Sequence, residues 1–444
     1  MDVKGKSFAI IGAAGSGIAA GRKLKELGAQ VFISEYKPRK SNVEFDIIDK
    51  EFNCEFDGHT KKVLNYETLV VSPGVPQTIP ILEQAKSLKK DIISEIELGY
   101  RLKSEDSKII CCTGSNGKST TVSLIHHILT NCGYKTILAG NIGIPFTSYA
   151  IEKPGIDFII LELSSFQLEL IDRFKADVAM LLNITPDHLD RYKSFEHYAL
   201  TKMNIFKNQD DHCLAVINND DIVVKKLMQN IPASINGFSM INESECHLQE
   251  NNIICGNISY KIDNFSLKGP HNLMNIMAVL LAIKPFTQGK ELLVKKALTT
   301  FHALEHRMEF VDEINGITFV NDSKATNTDS VKYALQSYHD GIHLILGGSD
   351  KGEDFSILLP YLQSENVKVY LIGATRSRMR NAFIGKIAFK EFDNLNIAVR
   401  TAYSEAFRGD TILLSPACAS YDSFRNFIHR GNSFKDIVRS IANE

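Results

Sequence analysis

Long apolar runs are missing from this sequence. No stretch of its 444 residues approaches the roughly 18–20 needed to cross a bilayer, so no membrane partner is expected. The N-terminal Met1-Asp2-Val3-Lys4-Gly5-Lys6 lacks the apolar stretch and cleavage site of a secretory signal, and a cytoplasmic location is expected. An excess of one charge is missing too: 50 basic and 52 acidic residues give a net −2, which argues against nucleic acid as the main partner. The eight cysteines include no C-x-x-C pair, so neither a zinc site nor a redox dithiol is expected, and buried free thiols account for them. Internal repeats and low-complexity segments are also lacking.

What is present is a repeated alternation of short strands and helices. Length alone suggests about two to four domains. The first segment has strands at 7–12, 30–34, 68–72 and 91–94, a helix over 15–28 and another near 81–88. The second begins near Lys108, with strands at 157–163, 177–183 and 213–217, a helix around 194–206 and one from Gly269 to about 284. Between them, roughly 218–267 is polar and reads as hairpins and loops. A third segment alternates again through 317–321, 329–336, 342–346, 355–362, 367–372 and 411–415. Such alternation predicts an α/β chain of doubly wound, mainly parallel sheets.

The sharpest motif is Thr113-Gly114-Ser115-Asn116-Gly117-Lys118-Ser119-Thr120, between the apolar run 108–112 and a helical pattern. A strand, a glycine-rich turn and a helix N-terminus make an anion cradle of backbone N–H groups and helix dipole. Lys118 suits the outer phosphates of a nucleotide and the Ser119 hydroxyl suits Mg²⁺. Only two residues separate the first glycine from the Gly-Lys pair, fewer than the general phosphate-loop spacing. By contrast, Gly12-Ala13-Ala14-Gly15-Ser16-Gly17 places its third glycine one residue early for a dinucleotide fingerprint, a weak signal for NAD.

Other strand ends carry reactive side chains. Glu162 closes the strand 158–161, where an acid beside the phosphate loop can hold a metal. His188, in Asn183-Ile184-Thr185-Pro186-Asp187-His188, follows the next strand and can serve a metal, with Asp187 orienting it or binding water. Asn272 and Asn275 are three apart, on one helix face; they suit a purine edge, with helix capping the plainer role for Asn272. Asp322 suits ribose hydroxyls or metal-bound water, Lys324 and Thr326 suit anionic groups, and Lys351 suits a carboxylate. The run Ser415-Pro416-Ala417-Cys418-Ala419-Ser420 ends a further strand and is followed by Phe424, Phe427 and Arg430. Lys202 is a helix lysine, ordinarily a solvated one.

Together these residues closely resemble the Mur ligase family, ATP-dependent amide-bond synthetases of bacterial cell-wall precursor assembly. The most specific stretches are 113–120, 162–167, 183–192, 321–327 and 415–431, and the last looks like the D-glutamate-adding branch. The Asp-Asn-Pro-Arg motif of the diaminopimelate-adding branch is missing. The resemblance implies three domains: a UDP-substrate-binding Rossmann-like domain (1–98), a central P-loop-type ATPase domain (99–303) and a Rossmann-like domain for the amino acid (304–444). It implies a monomeric ligase that adds D-glutamate to UDP-N-acetylmuramoyl-L-alanine (UDP-MurNAc-L-Ala), with ATP as co-substrate and two Mg²⁺ ions.

It also implies roles. ATP would be held by Gly114, Ser115, Asn116, Gly117, Lys118, Ser119, Thr120, Asn272, Asn275, Arg307 and Asp322. Lys118, His188 and Lys202 would be catalytic. One Mg²⁺ would sit on Ser119 and Glu162, the second on His188 and a carbamate formed on Lys202. The UDP substrate would meet Ser16, Gly17, Lys37, Ser72, Gly74, Asn141 and His188, and D-glutamate would meet Lys324, Thr326, Lys351, Ser420 and Phe427. Relatives often carry Asp-x-Arg where this chain has Glu35-Tyr36-Lys37, so Lys37 meets a phosphate without the guanidinium fork. The proton of the incoming amine would pass to His188 or to the departing phosphate.

Overall fold

The computed structural model describes residues 1–41, 44–149, 155–188, 191–267, 269–302, 304–338, 341–350 and 352–444. Lys351 and Asp190 lie outside these. The described residues form three sheets. They group into two compact units: Met1–Ile184, Glu196–Asp263 and Met274–Leu298 make one, and Thr185–Phe195, Asn264–Leu273 and Thr299–Glu444 the other.

In the first unit, a five-stranded parallel sheet runs in the order Asn53–Glu55, Gln30–Ser34, Ser7–Ile11, Thr68–Val71, Asp91–Ser94. The chain winds outward from Ser7–Ile11 in one direction, then returns to its other side with Thr68–Val71. Ligand crevices form at such a reversal, outside the strand C-termini. The turns at Gly12 and Ser72 therefore stand side by side. Strands buried on both faces read as continuous apolar runs, as in Phe8-Ala9-Ile10-Ile11, all fully buried.

The second sheet of this unit has nine strands: Ile258–Lys261, Asn252–Cys255, Cys246–Gln249, Ser234–Ser239, Leu214–Asn218, Val178–Leu181, Lys108–Thr113, Phe158–Glu162 and Thr136–Gly140. Lys108–Thr113 lies between Phe158–Glu162 and Val178–Leu181, so its glycine turn is flanked by the ends carrying Glu162 and Asn183. The stretch 218–267, expected as hairpins and loops, is more ordered. Ser234–Ser239 is a parallel strand of the sheet, a helix at Ile222–Leu227 precedes it, and an antiparallel meander follows. A buried carboxylate joins the two sheets' regions. Glu97 Oε2 accepts the N–H groups of Asp172 and Phe174 at 2.9 Å, and its Oε1 takes the Arg101 guanidinium at 2.7 Å.

The second unit holds the third sheet, in the order Glu309–Ile314, Ile317–Asn321, Thr411–Leu414, Ile342–Gly347, Val367–Ile372, Phe389–Glu391, antiparallel only at its first pair. Three neighbouring strands thus end at Asp322, Ser415 and Gly348. The helix Phe427–Ala442 covers one face through Phe434 and Val438, with Asn426 capping its start by accepting the His429 N–H. No helix among the described residues is long and apolar enough to cross a membrane.

Candidate active site

The phosphate loop is fixed by the strand end beside it. Asn183 accepts the Asn116 N–H with Oδ1 (2.8 Å) and donates from Nδ2 to Asn116 O (3.1 Å), while its carbonyl takes the Ser115 N–H (3.0 Å). Ser115 Oγ meets Tyr198 Oη at 3.0 Å. Gly117 caps the helix Lys118–Asn131 at φ +86, the left-handed region that favours glycine. A Cβ there would stand 2.4 Å from Asn275 Oδ1, so Asn275 lies directly against the turn. Ser119 and Thr120 are buried in the helix's first turn, where N–H groups and the dipole favour an anion.

Two amines converge on this loop. Lys118 Nζ donates to Gly114 O (2.7 Å) and Ser115 O (2.8 Å), and Lys202 Nζ, on the helix Phe195–Met203, donates to the same Gly114 O (2.9 Å). Lys202 is buried and stacked over the Tyr198 ring at 4.7 Å, so it is not the solvated helix lysine that its sequence context suggests. Glu162 is buried alongside. Asn141 Nδ2 donates to Glu162 Oε1 at 2.7 Å, which brings these two sequence-predicted residues together. Below them, burial pushes the Cys112 thiol up, and Glu162, Lys118 and Lys202 all act on it electrostatically.

The Ser119 hydroxyl and the Glu162 carboxylate are hard oxygen donors of the kind Mg²⁺ takes, usually alongside water and phosphate oxygens rather than in an all-protein cage. Among the described residues no three His, Cys, Asp or Glu side chains form such a cage. The two buried oxygen groups beside an anion cradle fit a nucleotide-bound Mg²⁺.

In the second unit, His188 adopts φ +56, a conformation uncommon outside glycine and concentrated at functional sites. Its N–H donates to Asp187 Oδ1 (2.9 Å), and its Nε2 lies 3.5 Å from Asp187 Oδ2, so the two side chains stand together. Asp322 accepts from Ser415 Oγ (2.8 Å) and the Met308 N–H (3.2 Å). Burial raises its carboxyl to about 7, against the pull of those donors and of Arg307 and Arg430. Burial, with the Arg307 charge, drives His271 down to about 4. Asn272 and Asn275 both lie on the helix Pro270–Ile283, three positions apart as the sequence indicates.

Of the residues expected to hold D-glutamate, Lys324, Thr326 and Ser420 lie on strand-end loops of the third sheet, Phe427 opens the helix Phe427–Ala442, and Lys351 lies outside the described residues. Lys324 Nζ sits over the Phe427 ring at 5.1 Å, and Thr326 and the buried Ser420 lie on the adjoining loops. Sequence reasoning missed what binds these loops together. Buried Arg430 donates to Ser323 Oγ (3.0 Å), Ser323 O (2.8 Å), Cys418 O (2.9 Å) and Ala419 O (3.2 Å). Its one signal is an arginine on the buried face of an amphipathic helix.

At the first sheet's reversal, Ser72 Oγ donates to Gly12 O (2.8 Å). Gly17 packs so closely that a Cβ would stand 2.1 Å from Gly12 O. Ser16 is half-buried, and Gly74 and Lys37 are exposed. Sequence reasoning also missed the role of Glu35, whose buried carboxylate accepts the Ala13 N–H (2.6 Å) and the Lys37 N–H (2.9 Å). An acid about 20 residues beyond the glycine turn is its available signal.

Fold and site define a P-loop-type nucleotide-binding α/β protein. The family profile of the Mur ligase middle domain matches residues 112–283, and that of the Mur ligase glutamate ligase domain matches residues 306–418. The chain belongs to the Mur ligase family. It is 37% identical over 455 residues to UDP-N-acetylmuramoylalanine--D-glutamate ligase of Koribacter versatilis, covering 100% of this chain and 99% of that protein. Its fold matches the Thermotoga maritima MurF ligase solved with ADP (TM-score 0.65, 17% identity, 93% of this chain and 96% of that one). It also matches the UDP-N-acetylmuramate-alanine ligase MurC of the same organism (TM-score 0.63, 17% identity, 98% and 99%).

Proposed function

We propose that the chain joins D-glutamate to the alanyl carboxylate of UDP-MurNAc-L-Ala, splitting ATP to ADP and phosphate, in peptidoglycan precursor synthesis. The observation that carries this reading is the full-length likeness to D-glutamate ligases. In the same reading residues 1–98 receive the UDP substrate, 99–303 ATP and 304–444 the amino acid, and the chain works as a monomer in the cytoplasm.

The chemistry follows from the groups at hand. A carboxylate is a poor electrophile, and the γ-phosphate repels it. Lys118 and the N–H groups of the turn hold the phosphates and offset that repulsion. Bound Mg²⁺ supplies further positive charge at the transferring phosphoryl group. Ser119 and Glu162 would hold one ion, and a carbamate on Lys202 with the His188 imidazole would hold the second. Carbamylation needs a neutral amine, and burial disfavours an amine's charged form. Transfer of the γ-phosphoryl group to the alanyl carboxylate gives an acyl phosphate. The glutamate amine attacks its carbonyl carbon, the C–O bond to phosphate breaks, and His188 or the departing phosphate accepts the ammonium proton. Asn272, Asn275, Arg307 and Asp322 hold the rest of ATP; Lys324, Thr326, Lys351, Ser420 and Phe427 hold D-glutamate. Ser16, Gly17, Lys37, Ser72, Gly74 and Asn141 serve the UDP substrate, with His188 at its alanyl end.

ADP release measured with UDP-MurNAc-L-Ala and a panel of amino acids tests the assignment. D-Glutamate alone should stimulate it strongly; preference for another amino acid would move the chain to a different branch of the family.

A further inference from the structure

The sequence offers no C-x-x-C pair, yet the fold brings two cysteines face to face. Cys246 opens the strand Cys246–Gln249, Cys255 closes Asn252–Cys255, and the antiparallel register sets them opposite each other. The Gly256 N–H donates to Glu245 O (3.0 Å), so the cysteines occupy a non-hydrogen-bonded position of the ladder. Facing side chains stand closest there, with Cα atoms about 4.5 Å apart, inside the roughly 4.4–6.8 Å that a disulfide spans. Lys284, just beyond the helix Pro270–Ile283, brings its amine to this hairpin: a Cβ on Gly256 would lie 2.8 Å from Lys284 Nζ. The adjacent pair Cys111-Cys112 has no such option, because successive side chains of a strand point to opposite faces.

We propose that Cys246 and Cys255 form a redox-active dithiol, closed to a disulfide by peroxide and reopened by a dithiol reductant, with Cys255 as the attacking sulfur. The two thiols are unequal. The two facing thiols act on each other, and the Lys284 charge favours the thiolate of either against its burial. Burial pushes Cys246 well up. Every other cysteine in the chain is also pushed up by burial. Cys255 keeps 3% of its surface exposed and Cys246 none, so a small oxidant reaches Cys255 first.

The Cys255 thiolate attacks one peroxide oxygen. An S–O bond forms, the O–O bond breaks, and hydroxide leaves with the proton the thiol had released, as water. Cys246 then attacks the sulfenic sulfur; the S–S bond forms, the S–O bond breaks, and a second water departs with the Cys246 proton. Two thiols and one peroxide give one disulfide and two waters, the sulfurs losing two electrons that the peroxide takes.

Full-length protein treated with hydrogen peroxide, unfolded with free thiols blocked, and mapped by mass spectrometry tests this. The expected product has two fewer of its eight thiols titratable, a single bridge from Cys246 to Cys255, and full reversal by dithiothreitol. Cys246→Ser should stop at a dimedone-trapped sulfenic acid on Cys255, and Cys255→Ser should leave Cys246 reduced. Lys284→Met should slow the wild-type reaction, because it removes the positive charge beside the hairpin that favours the thiolate. Eight titratable thiols after an exposure that oxidises free cysteine, or a first bridge between any other pair, overturns the proposal even if a variant fails to fold.

Discussion

Lys118 and Lys202, far apart in the chain, donate to one oxygen, that of Gly114, at 2.7 and 2.9 Å. One carbonyl thus positions both amines at the mouth of the phosphate loop. Replacing Lys118 with Ala should leave D-glutamate-dependent phosphate release near background. Lys202→Ala should lose at least about 100-fold in turnover, the scale of one transition-state electrostatic contact, and bicarbonate should not restore it. Steady-state phosphate release measures both. Full activity of Lys202→Ala would remove the carbamate from the scheme.

Gly117 is held at positive φ with Asn275 against it. Gly117→Ala adds a methyl where neither backbone nor neighbour has room, at a cost of roughly 1–3 kcal/mol for the conformation. The loop should distort before the domain unfolds. ATP affinity, read by calorimetry, should fall at least about tenfold while the melting temperature moves only a few degrees; unchanged affinity would show that the turn does not cradle the nucleotide.

Gly17→Ala should act on stability instead. The added Cβ meets a backbone carbonyl, Gly12 O at 2.1 Å, which cannot swing aside. A drop in thermal midpoint is expected, together with weaker binding of the UDP substrate, whereas Gly74→Ala, with open space around it, should leave the thermal midpoint unchanged.

Glu95 supplies a pH dependence. Its carboxylate accepts the Thr147 N–H (2.6 Å) and hydroxyl (2.7 Å), yet full burial raises it from 4.5 to about 7. Between those values the folded chain keeps a proton that the unfolded chain has released, so the contribution of this group to stability is fullest below about 4.5 and is lost as pH rises through about 7. The slope approaches about 1.4 kcal/mol per pH unit for such a group. Glu95→Gln should flatten the melting temperature against pH without abolishing its slope, because Asp322 titrates at about 7 as well. An unaltered profile would refute the assignment.

Much of this was legible in the sequence because the decisive loops follow apolar strands. Gly114–Thr120, Glu162, Asp187-His188, Asp322 and Ser415–Ser420 were placed by that rule alone. Ser234–Ser239 was not, since Ser-Ile-Asn-Gly-Phe-Ser has no apolar run and owes its strand conformation to pairing with Leu214–Asn218. The partners of Lys202, Glu35 and Arg430 depend on long-range contacts that local pattern does not carry, and the meeting of Cys246 with Cys255 depends on the exact register of one hairpin.

Mass spectrometry of the products formed from ATP, D-glutamate and UDP-MurNAc-L-Ala is the most direct test of the proposed ligation. The expected result is one new species, the nucleotide precursor plus glutamate less one water, formed mole for mole with ADP and phosphate. ATP consumption with no such species, or the same phosphate release when D-glutamate is left out, would contradict the account.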